Sequence, residues 1–295
     1  MRPKFSGVFA ALTTPFHNHA IALDKFKDNL SRYNETELAG YVVLGSTGEA
    51  VLLRDEEAEA MVKEAKATAA PTKKIIVGTA RESTQATIDI TNRMAELGAD
   101  AALVKPPYYY KSQLTQDVLR RHFLSVADKV RIPIIIYNIP QNTGIAITPA
   151  LLIELSHHPH IAGVKDSSGV LSNLTEALPR AAADFSFLIG AGNVFLPGLI
   201  MGASGGVLAA ASAVPALWTK LYALFQAGRL DEARKLQLDL VPLNRLLTQT
   251  LGIPAIKYSL DLLGFYGGPP RPPLLPLEEQ GKAEVKRELE RLGLL

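Results

Sequence analysis

The chain has 295 residues, 47% of them hydrophobic and 20% charged, so it can bury one large core or two modest ones. Its 31 basic and 29 acidic residues give a net charge of +2, which argues against nucleic acid or an anionic membrane as a partner. The sequence contains no cysteine, which excludes disulfides, thiolate nucleophiles and Cys-containing zinc sites. Because the N-terminus lacks the regions of a signal peptide, we expect a soluble, cytoplasmic protein.

Short apolar runs alternate with segments of helical periodicity along most of the chain. The predicted strands are residues 7–12, 41–44, 75–78, 101–104, 134–137, 161–165, 187–190 and 206–208. The predicted helices are residues 24–37, 54–70, 84–97, 115–129, 149–156, 171–183 and 194–201. This alternation predicts an α/β fold, a (β/α)8 TIM barrel over residues 1–226. The alternative is an open doubly wound sheet, but Phe195 stands where a dinucleotide fingerprint needs its third glycine.

Two further stretches bear on the domain organisation. Residues 185–219 carry no charge, but prolines and glycines interrupt them, so they indicate buried strand, short helix, strand and helix and no membrane span. After the barrel, residues 230–248 and 254–263 carry apolar stripes, 267–276 form a proline-rich connector and 277–292 a charged amphipathic helix. We therefore predict that residues 227–295 are a C-terminal helical extension packed on the barrel.

Lys165 and Tyr137 each end a predicted buried strand. Burial of a lysine disfavours its ammonium form, and a neutral amine can attack a ketone to form a Schiff base. A tyrosine at the end of a neighbouring parallel strand can face the same pocket and move protons for the imine. The alternative is that Lys165 is only a solvated charge near a strand end.

Other strand ends of the predicted barrel also carry polar groups. Ser46 and Thr47 lie between glycines, whose backbone N–H groups can approach a carboxylate closely, although an ordinary tight turn has the same composition. Three tyrosines at 108–110 follow two prolines and can equally pack at a subunit interface. Ser167 and Gly190 follow the sixth and seventh strands. The six histidines show no metal-ligand spacing, and we expect no metal site.

Three motifs together resemble the dihydrodipicolinate synthase/N-acetylneuraminate lyase superfamily: residues 45–49 (Gly-Ser-Thr-Gly-Glu), 137–140 (Tyr-Asn-Ile-Pro) and 163–167 (Gly-Val-Lys-Asp-Ser). The resemblance extends from about residue 7 to the C-terminal tail. It implies a class I aldolase or lyase that needs no cofactor or metal and assembles as a homotetramer, a dimer of dimers.

The resemblance also implies roles for individual residues. Lys165 would form the Schiff base with pyruvate or a similar 2-oxo acid, and Tyr137 would move protons through the hydroxyl of Ser46. Tyr109 would reach into the neighbouring subunit to complete its relay. Thr47 would hold the substrate carboxylate. The other substrate-binding positions would be Asn142, Ser167 and Gly190.

The subfamily depends on the residue two positions after the Tyr-Asn-Ile-Pro motif. Dihydrodipicolinate synthases usually have an arginine there, but this chain has Asn142, whose amide cannot make a bidentate charged contact. Residues 142–144, 82–87 and 264–269 look similar to 4-hydroxy-2-oxoglutarate aldolases, so we expect cleavage of that acid to pyruvate and glyoxylate. The alternatives are condensation of pyruvate with aspartate semialdehyde, a lyase for another 2-keto or sugar acid, or a non-catalytic keto-acid-binding protein.

Overall fold

A computed structural model describes residues 3–295 of the chain. The strands are β1 (Gly7–Ala11), β2 (Phe16–His17), β3 (Ala20–Ile21), β4 (Gly40–Val43), β5 (Lys74–Gly78), β6 (Ala101–Val104), β7 (Ile134–Asn138), β8 (Ile161–Asp166), β9 (Ser186–Ile189) and β10 (Gly205–Leu208). Within the described range, eight of them close into a parallel barrel in the order β1-β10-β9-β8-β7-β6-β5-β4. The predicted (β/α)8 barrel is therefore confirmed.

The helices follow the strands in sequence. They are α1 (Leu23–Asn34), α2 (Asp55–Thr68), α3 (Thr84–Glu96), α4 (Gln116–Ala127), α5 (Pro140–Thr143), α6 (Pro149–Ser156), α7 (Leu171–Ala177), α8 (Phe195–Ile200), α9 (Ala210–Ala213), α10 (Pro215–Gln226), α11 (Leu230–Arg245), α12 (Ile253–Leu262) and α13 (Glu279–Arg291). A π-helical turn at Leu246–Thr250 continues α11. The predicted C-terminal helices are thus present in the structure.

Three differences between the predicted and the observed elements have a local physical reason. An antiparallel hairpin, β2 with β3, follows the first barrel strand; its strands have only two residues each, too short to give a periodic signal. The short helix α5 directly follows β7 and begins at Pro140, a residue favoured in the first turn of a helix. Helix α7 ends at Ala177, six residues before its predicted end; Pro179 follows two residues later and has no backbone N–H with which to continue the helical hydrogen bonds.

The chain packs as two compact units. The first comprises residues 3–7 and Ile76–Val207, and the second comprises Val8–Ile75 and Leu208–Leu295. The helices α11, α12 and α13 all belong to the second unit. The boundary at residue 226 between a barrel and an extension stays a prediction.

The first unit contains the most apolar strands. Every residue of β7 is buried, and so are the first five of β8, the pattern of parallel strands covered on both faces. Side-chain oxygens at the N-caps of α3, α4 and α6 begin the helices: Ser83, Thr115 and Thr148 each accept a hydrogen bond from a backbone N–H three residues later. Buried parallel strands connected by helices with capped N-termini are the elements that a (β/α) repeat requires.

The uncharged stretch 185–219 divides among β9, α8, β10, α9 and the first turns of α10, in agreement with the sequence-based interpretation. Within residues 3–295, no helix has both the length and the hydrophobicity to cross a membrane.

The backbone of β9 approaches Gly163 in β8 so closely that a residue with a Cβ does not fit there. A Cβ at this residue would lie 2.3 Å from the carbonyl oxygen of Ser186 in β9, a distance that real Cβ contacts do not reach. We expect Gly163→Ala to lower the free energy of unfolding by about 2 kcal/mol, because backbone must shift to admit the methyl group. Denaturant unfolding followed by far-UV circular dichroism measures this.

The matched control is Gly281→Ala in α13, where a new Cβ would first meet the end of the flexible Leu277 side chain at 3.2 Å. Alanine has the higher helix propensity, so this variant is expected to be as stable as the wild type or more so. Equal stability of the two variants would contradict the argument from close packing.

His122 in α4 is a buried histidine that makes the stability of the protein depend on pH. Its side chain is 5% exposed, and its Nδ1 lies 2.9 Å from the hydroxyl of Thr84. Burial lowers the pKa of His122 from 6.5 to about 4, a shift that the Glu82 carboxylate opposes and the Lys105 ammonium reinforces. The folded protein therefore holds this imidazole neutral at pH values where an unfolded chain would protonate it.

We expect this histidine to destabilise the protein in mild acid. The pKa of His122 is lower in the folded protein than in the unfolded chain. The contribution of this residue to the free energy of unfolding is therefore complete above pH 6.5 and is lost as the pH falls toward 4. Between pH 7.5 and pH 5 the loss amounts to about 2 kcal/mol. Urea unfolding at both pH values should show a smaller pH dependence for His122→Gln than for the wild type. The exposed His160→Gln controls for the loss of one imidazole; an unchanged dependence in His122→Gln would contradict the assignment.

Candidate active site

Lys165 and Tyr137 lie side by side at the carboxyl ends of two neighbouring strands. Strands β7 and β8 are parallel, and their register pairs Tyr137 directly with Lys165. The lysine Nζ lies 4.1 Å from the centre of the tyrosine ring. Both residues are buried, with 4% and 5% of their surface exposed. The structure thus brings together the amine and the phenol that the sequence singled out.

This pair has the chemistry that an imine mechanism needs. A buried lysine amine can add to a ketone, and a phenol in contact with it can give and take the protons of each step. Burial also keeps bulk water away from an imine, which water would otherwise hydrolyse.

Asn138 and Asp166 form a hydrogen-bonded pair next to Lys165 and Tyr137, which we call the polar clamp and which the sequence did not indicate. The Asn138 side chain donates a hydrogen bond of 3.0 Å to Oδ2 of Asp166, its register partner in β8. Its amide oxygen accepts from the backbone N–H of Ile147 at 3.1 Å. The carboxylate of Asp166 also accepts from the backbone N–H and the hydroxyl of Ser168. These bonds fix the backbone directly after both Lys165 and Tyr137, since Asp166 follows the lysine and Asn138 follows the tyrosine.

Ser167 and Gly190, both predicted to bind substrate, lie against each other. A Cβ at Gly190 would stand 2.0 Å from the hydroxyl oxygen of Ser167, so the serine fills the space that any larger residue at 190 would need. The Gly190 N–H donates to the carbonyl of Asp166 at 2.6 Å, and Gln141 donates to the carbonyl of Ser167 at 3.0 Å. The turn after β8 is therefore held from two neighbouring loops.

Asn142 is exposed and lies in the short helix α5. Two residues further on, Gly144 adopts a left-handed conformation with φ +68°. The side chain of Lys111 passes over this glycine: its Nζ lies 3.0 Å from the position that a Cβ at residue 144 would take. The loop after β7 thus has a neutral amide at 142 and an ammonium group from Lys111 close by.

Tyr109 and Tyr110 are strongly exposed, at 74% and 72%, and their rings meet edge to face with centres 5.1 Å apart. The carboxylate of Glu82 holds the backbone here, accepting the N–H groups of Tyr108 and Tyr109 at 2.9 Å each. The structure therefore places Tyr109 on the surface of the chain. Its predicted action in a neighbouring subunit stays a prediction.

Ser46 and Thr47 belong to the second unit, in the turn that follows β4. Ser46 is half-buried and Thr47 is buried. The turn is closed by backbone hydrogen bonds from Gly48 to Gly45 and from Glu49 to Ser46, both 3.1 Å long. Thus the turn orders both hydroxyl-bearing residues that the sequence predicted to act on substrate.

Lys105, directly after β6, is a second candidate amine. Burial lowers its pKa, a shift that the nearby Glu82 carboxylate opposes. Its Nζ lies 4.2 Å from the centre of the Tyr108 ring and 3.9 Å from Glu82. A lysine with a carboxylate partner is less free to act as a nucleophile than Lys165, for which the structure records the phenol ring as neighbour.

A buried lysine in contact with a tyrosine ring on neighbouring strands of a parallel barrel is the arrangement expected of aldolases and lyases that act through a lysine Schiff base. The model of the Dihydrodipicolinate synthetase family matches residues 4–292, and the chain belongs to this family. Its members are class I aldolases and lyases, so the predicted enzyme class is confirmed.

Similar proteins cover nearly the whole chain. The 4-hydroxy-tetrahydrodipicolinate synthase of Methanopyrus kandleri is 34% identical over 99% of this chain and 98% of that protein. The enzyme of the same name from Archaeoglobus fulgidus is 35% identical over 99% of each chain. A solved structure of the Methylacidiphilum fumariolicum SolV 4-hydroxy-tetrahydrodipicolinate synthase matches with a TM-score of 0.92 at 31% identity, covering 98% of this chain and 96% of that one.

The identity of the reactive amine can be tested by trapping. We expect borohydride reduction in the presence of pyruvate to attach pyruvate covalently to the wild-type protein and to Lys105→Arg. No adduct should form on Lys165→Arg, because a guanidinium does not form the imine, and activity should fall on the order of 10³-fold or more. Mass spectrometry of the reduced protein measures the adduct. Trapping that persists in Lys165→Arg and disappears in Lys105→Arg would assign the imine to Lys105.

Proposed function

We propose that the chain joins pyruvate to an aldehyde, or catalyses the reverse cleavage, through an imine on Lys165. The observation that carries this proposal is the contact of the buried Lys165 amine with the Tyr137 ring at 4.1 Å. In the forward direction the amine adds to the keto carbon of pyruvate, and water leaves to give an iminium ion.

The following steps need a proton carrier beside the imine. The iminium withdraws electrons, so loss of a proton from the methyl carbon gives an enamine, and in this proposal Tyr137 takes that proton. The enamine carbon adds to the aldehyde carbon, whose oxygen gains a proton. Attack on the resulting iminium by water, or by an amine of the product itself, then frees Lys165. In this proposal Ser46 and Tyr109 relay the proton onward, and Thr47 holds the pyruvate carboxylate.

For the aldehyde, the relatives favour aspartate semialdehyde. Two relatives at 34% and 35% identity are named 4-hydroxy-tetrahydrodipicolinate synthase and align along almost their full length. These names give no support to the expectation that 4-hydroxy-2-oxoglutarate is the substrate. The synthase reaction, condensation of pyruvate with aspartate semialdehyde, is therefore the first candidate.

Cleavage of 4-hydroxy-2-oxoglutarate remains a second candidate because of one observation, the neutral residue at 142. A synthase of the usual pattern would bind the semialdehyde carboxylate there with an arginine fork. In this chain the ammonium of Lys111, close to Gly144, is a cation that reaches the same loop. This ammonium is a point charge, and a point charge binds a carboxylate with less directional constraint than a guanidinium does. It therefore suits a substrate whose carboxylate lies at a different position from that of aspartate semialdehyde.

We expect purified protein to consume pyruvate with aspartate semialdehyde at a higher kcat/KM than it releases pyruvate from 4-hydroxy-2-oxoglutarate. The Asn142→Arg variant should raise kcat/KM for the semialdehyde about tenfold, because a charge-assisted hydrogen bond contributes about 1.5–3 kcal/mol. The control is Asn142→Gln, which keeps the amide and adds no charge. Coupled assays of both reactions on the same preparations measure this. Faster release of pyruvate from 4-hydroxy-2-oxoglutarate by the wild type would establish the second candidate instead.

A further inference from the structure

The second unit contains a buried ion pair that the proposed chemistry does not use. Lys257 on α12 lies 2.6 Å from Oε1 of Glu49, the residue that ends the turn after β4. Their side chains are 1% and 0% exposed. The two residues are distant in the sequence, so the pair ties the C-terminal helices of the second unit to that turn.

Two hydrogen bonds hold Lys257 in addition to the ion pair. The Nζ donates to the carbonyl oxygens of Thr14 at 2.8 Å and Pro269 at 2.9 Å. Its contact with Glu49 is a close ion pair of opposite charges. The ring of Phe16 covers the group, with its centre 4.4 Å from Nζ.

Thr14 and Glu49, two of the partners of Lys257, each form a hydrogen bond with a residue of the turn that carries Ser46 and Thr47. The Thr14 hydroxyl donates to the carbonyl of Gly48 at 2.6 Å. The Glu49 backbone N–H closes the turn on the carbonyl of Ser46 at 3.1 Å. A displacement of the ammonium would therefore reach the turn by two routes, the hydrogen bond to Thr14 and the ion pair with Glu49.

The backbone at the two ends of this turn is held in an uncommon conformation. Leu44 and Glu49 have φ of +59° and +55°, the left-handed region that residues with a Cβ rarely adopt. Such strain persists only where surrounding contacts hold it. The second carboxylate oxygen of Glu49 accepts the backbone N–H of Arg271 at 2.8 Å, which adds a further contact from the C-terminal connector.

Burying an ion pair costs desolvation energy, and an apolar replacement of similar volume is often as stable. A fully buried ion pair is therefore poorly explained by stability alone. The contacts fit a different role, fixing the position of the turn to within the tolerance that catalysis needs.

We propose that Lys257 is a positioning residue that holds the turn bearing Ser46 and Thr47 in its reactive geometry. This inference rests on the proposed function, because the roles of Ser46 and Thr47 in proton relay and carboxylate binding come from it. The C-terminal helices then contribute to activity without touching the substrate.

The test compares Lys257→Met with Leu260→Ala, a substitution about one turn further along α12 at a buried leucine, whose side chain can form neither a hydrogen bond nor an ion pair with the turn. We expect Lys257→Met to lower kcat/KM on the order of 10²-fold, with a higher KM for pyruvate. At saturating pyruvate, borohydride should still trap pyruvate on Lys165. Leu260→Ala should lose thermal stability and keep its kcat/KM. Hydrogen exchange of the peptide covering residues 45–52 should speed up in Lys257→Met and not in Leu260→Ala.

A second variant, Glu49→Gln with Lys257→Met, keeps the test valid where the single variant leaves an unpaired buried carboxylate and does not fold. Wild-type kcat/KM and wild-type exchange in a folded Lys257 variant would overturn the positioning role, as would equal losses of activity in Leu260→Ala. Absence of pyruvate trapping in the wild-type protein would instead overturn the proposed function, and the inference with it.

Discussion

The register between β7 and β8 is the constraint on which the proposed chemistry depends. Parallel pairing places residue 137 opposite 165 and residue 138 opposite 166, so a nucleophile and a proton carrier occupy one rung and a polar clamp occupies the next. A slip of one residue would turn each side chain to the other face of its strand. The buried strands and the Gly163 contact with β9 make such a slip costly, so reactive geometry and strand packing are specified together.

The sequence was sufficient to predict the barrel and the reactive pair because both depend on local patterns. Buried parallel strands appear as short apolar runs, and a lysine or tyrosine at the end of such a run stands out. The Asn138–Asp166 clamp could have been suspected, since each residue directly follows one of the pair. Lys257 could not, because a single lysine in an apolar helix gives no indication of its partner. Its role becomes visible only when the fold places it against Glu49.

The proposed reaction and its specificity depend on different features of the first unit. In the proposed mechanism the imine requires Lys165 and Tyr137, which are buried and fixed by strand pairing. Asn142 is exposed on a four-residue helix, and Lys111 is exposed on a neighbouring loop. Exchanges at such positions change the contacts with an aldehyde while the strands keep their packing, and contacts of this kind discriminate between similar acids by only a few kcal/mol. Membership of the family therefore defines the shared chemistry more firmly than it defines the aldehyde.

The contact between Ser167 and Gly190 couples two positions that lie on consecutive strand-to-helix loops. Because the serine hydroxyl occupies the space of a Cβ at 190, a side chain can be present at one of the two positions only if the other yields room. A substitution at 190 alone meets the Ser167 side chain, whereas a glycine at 167 would remove that contact. In directed evolution of this barrel, randomising the two codons together reaches the reciprocal arrangement in one step, while single-site libraries reach it only when residue 167 changes first.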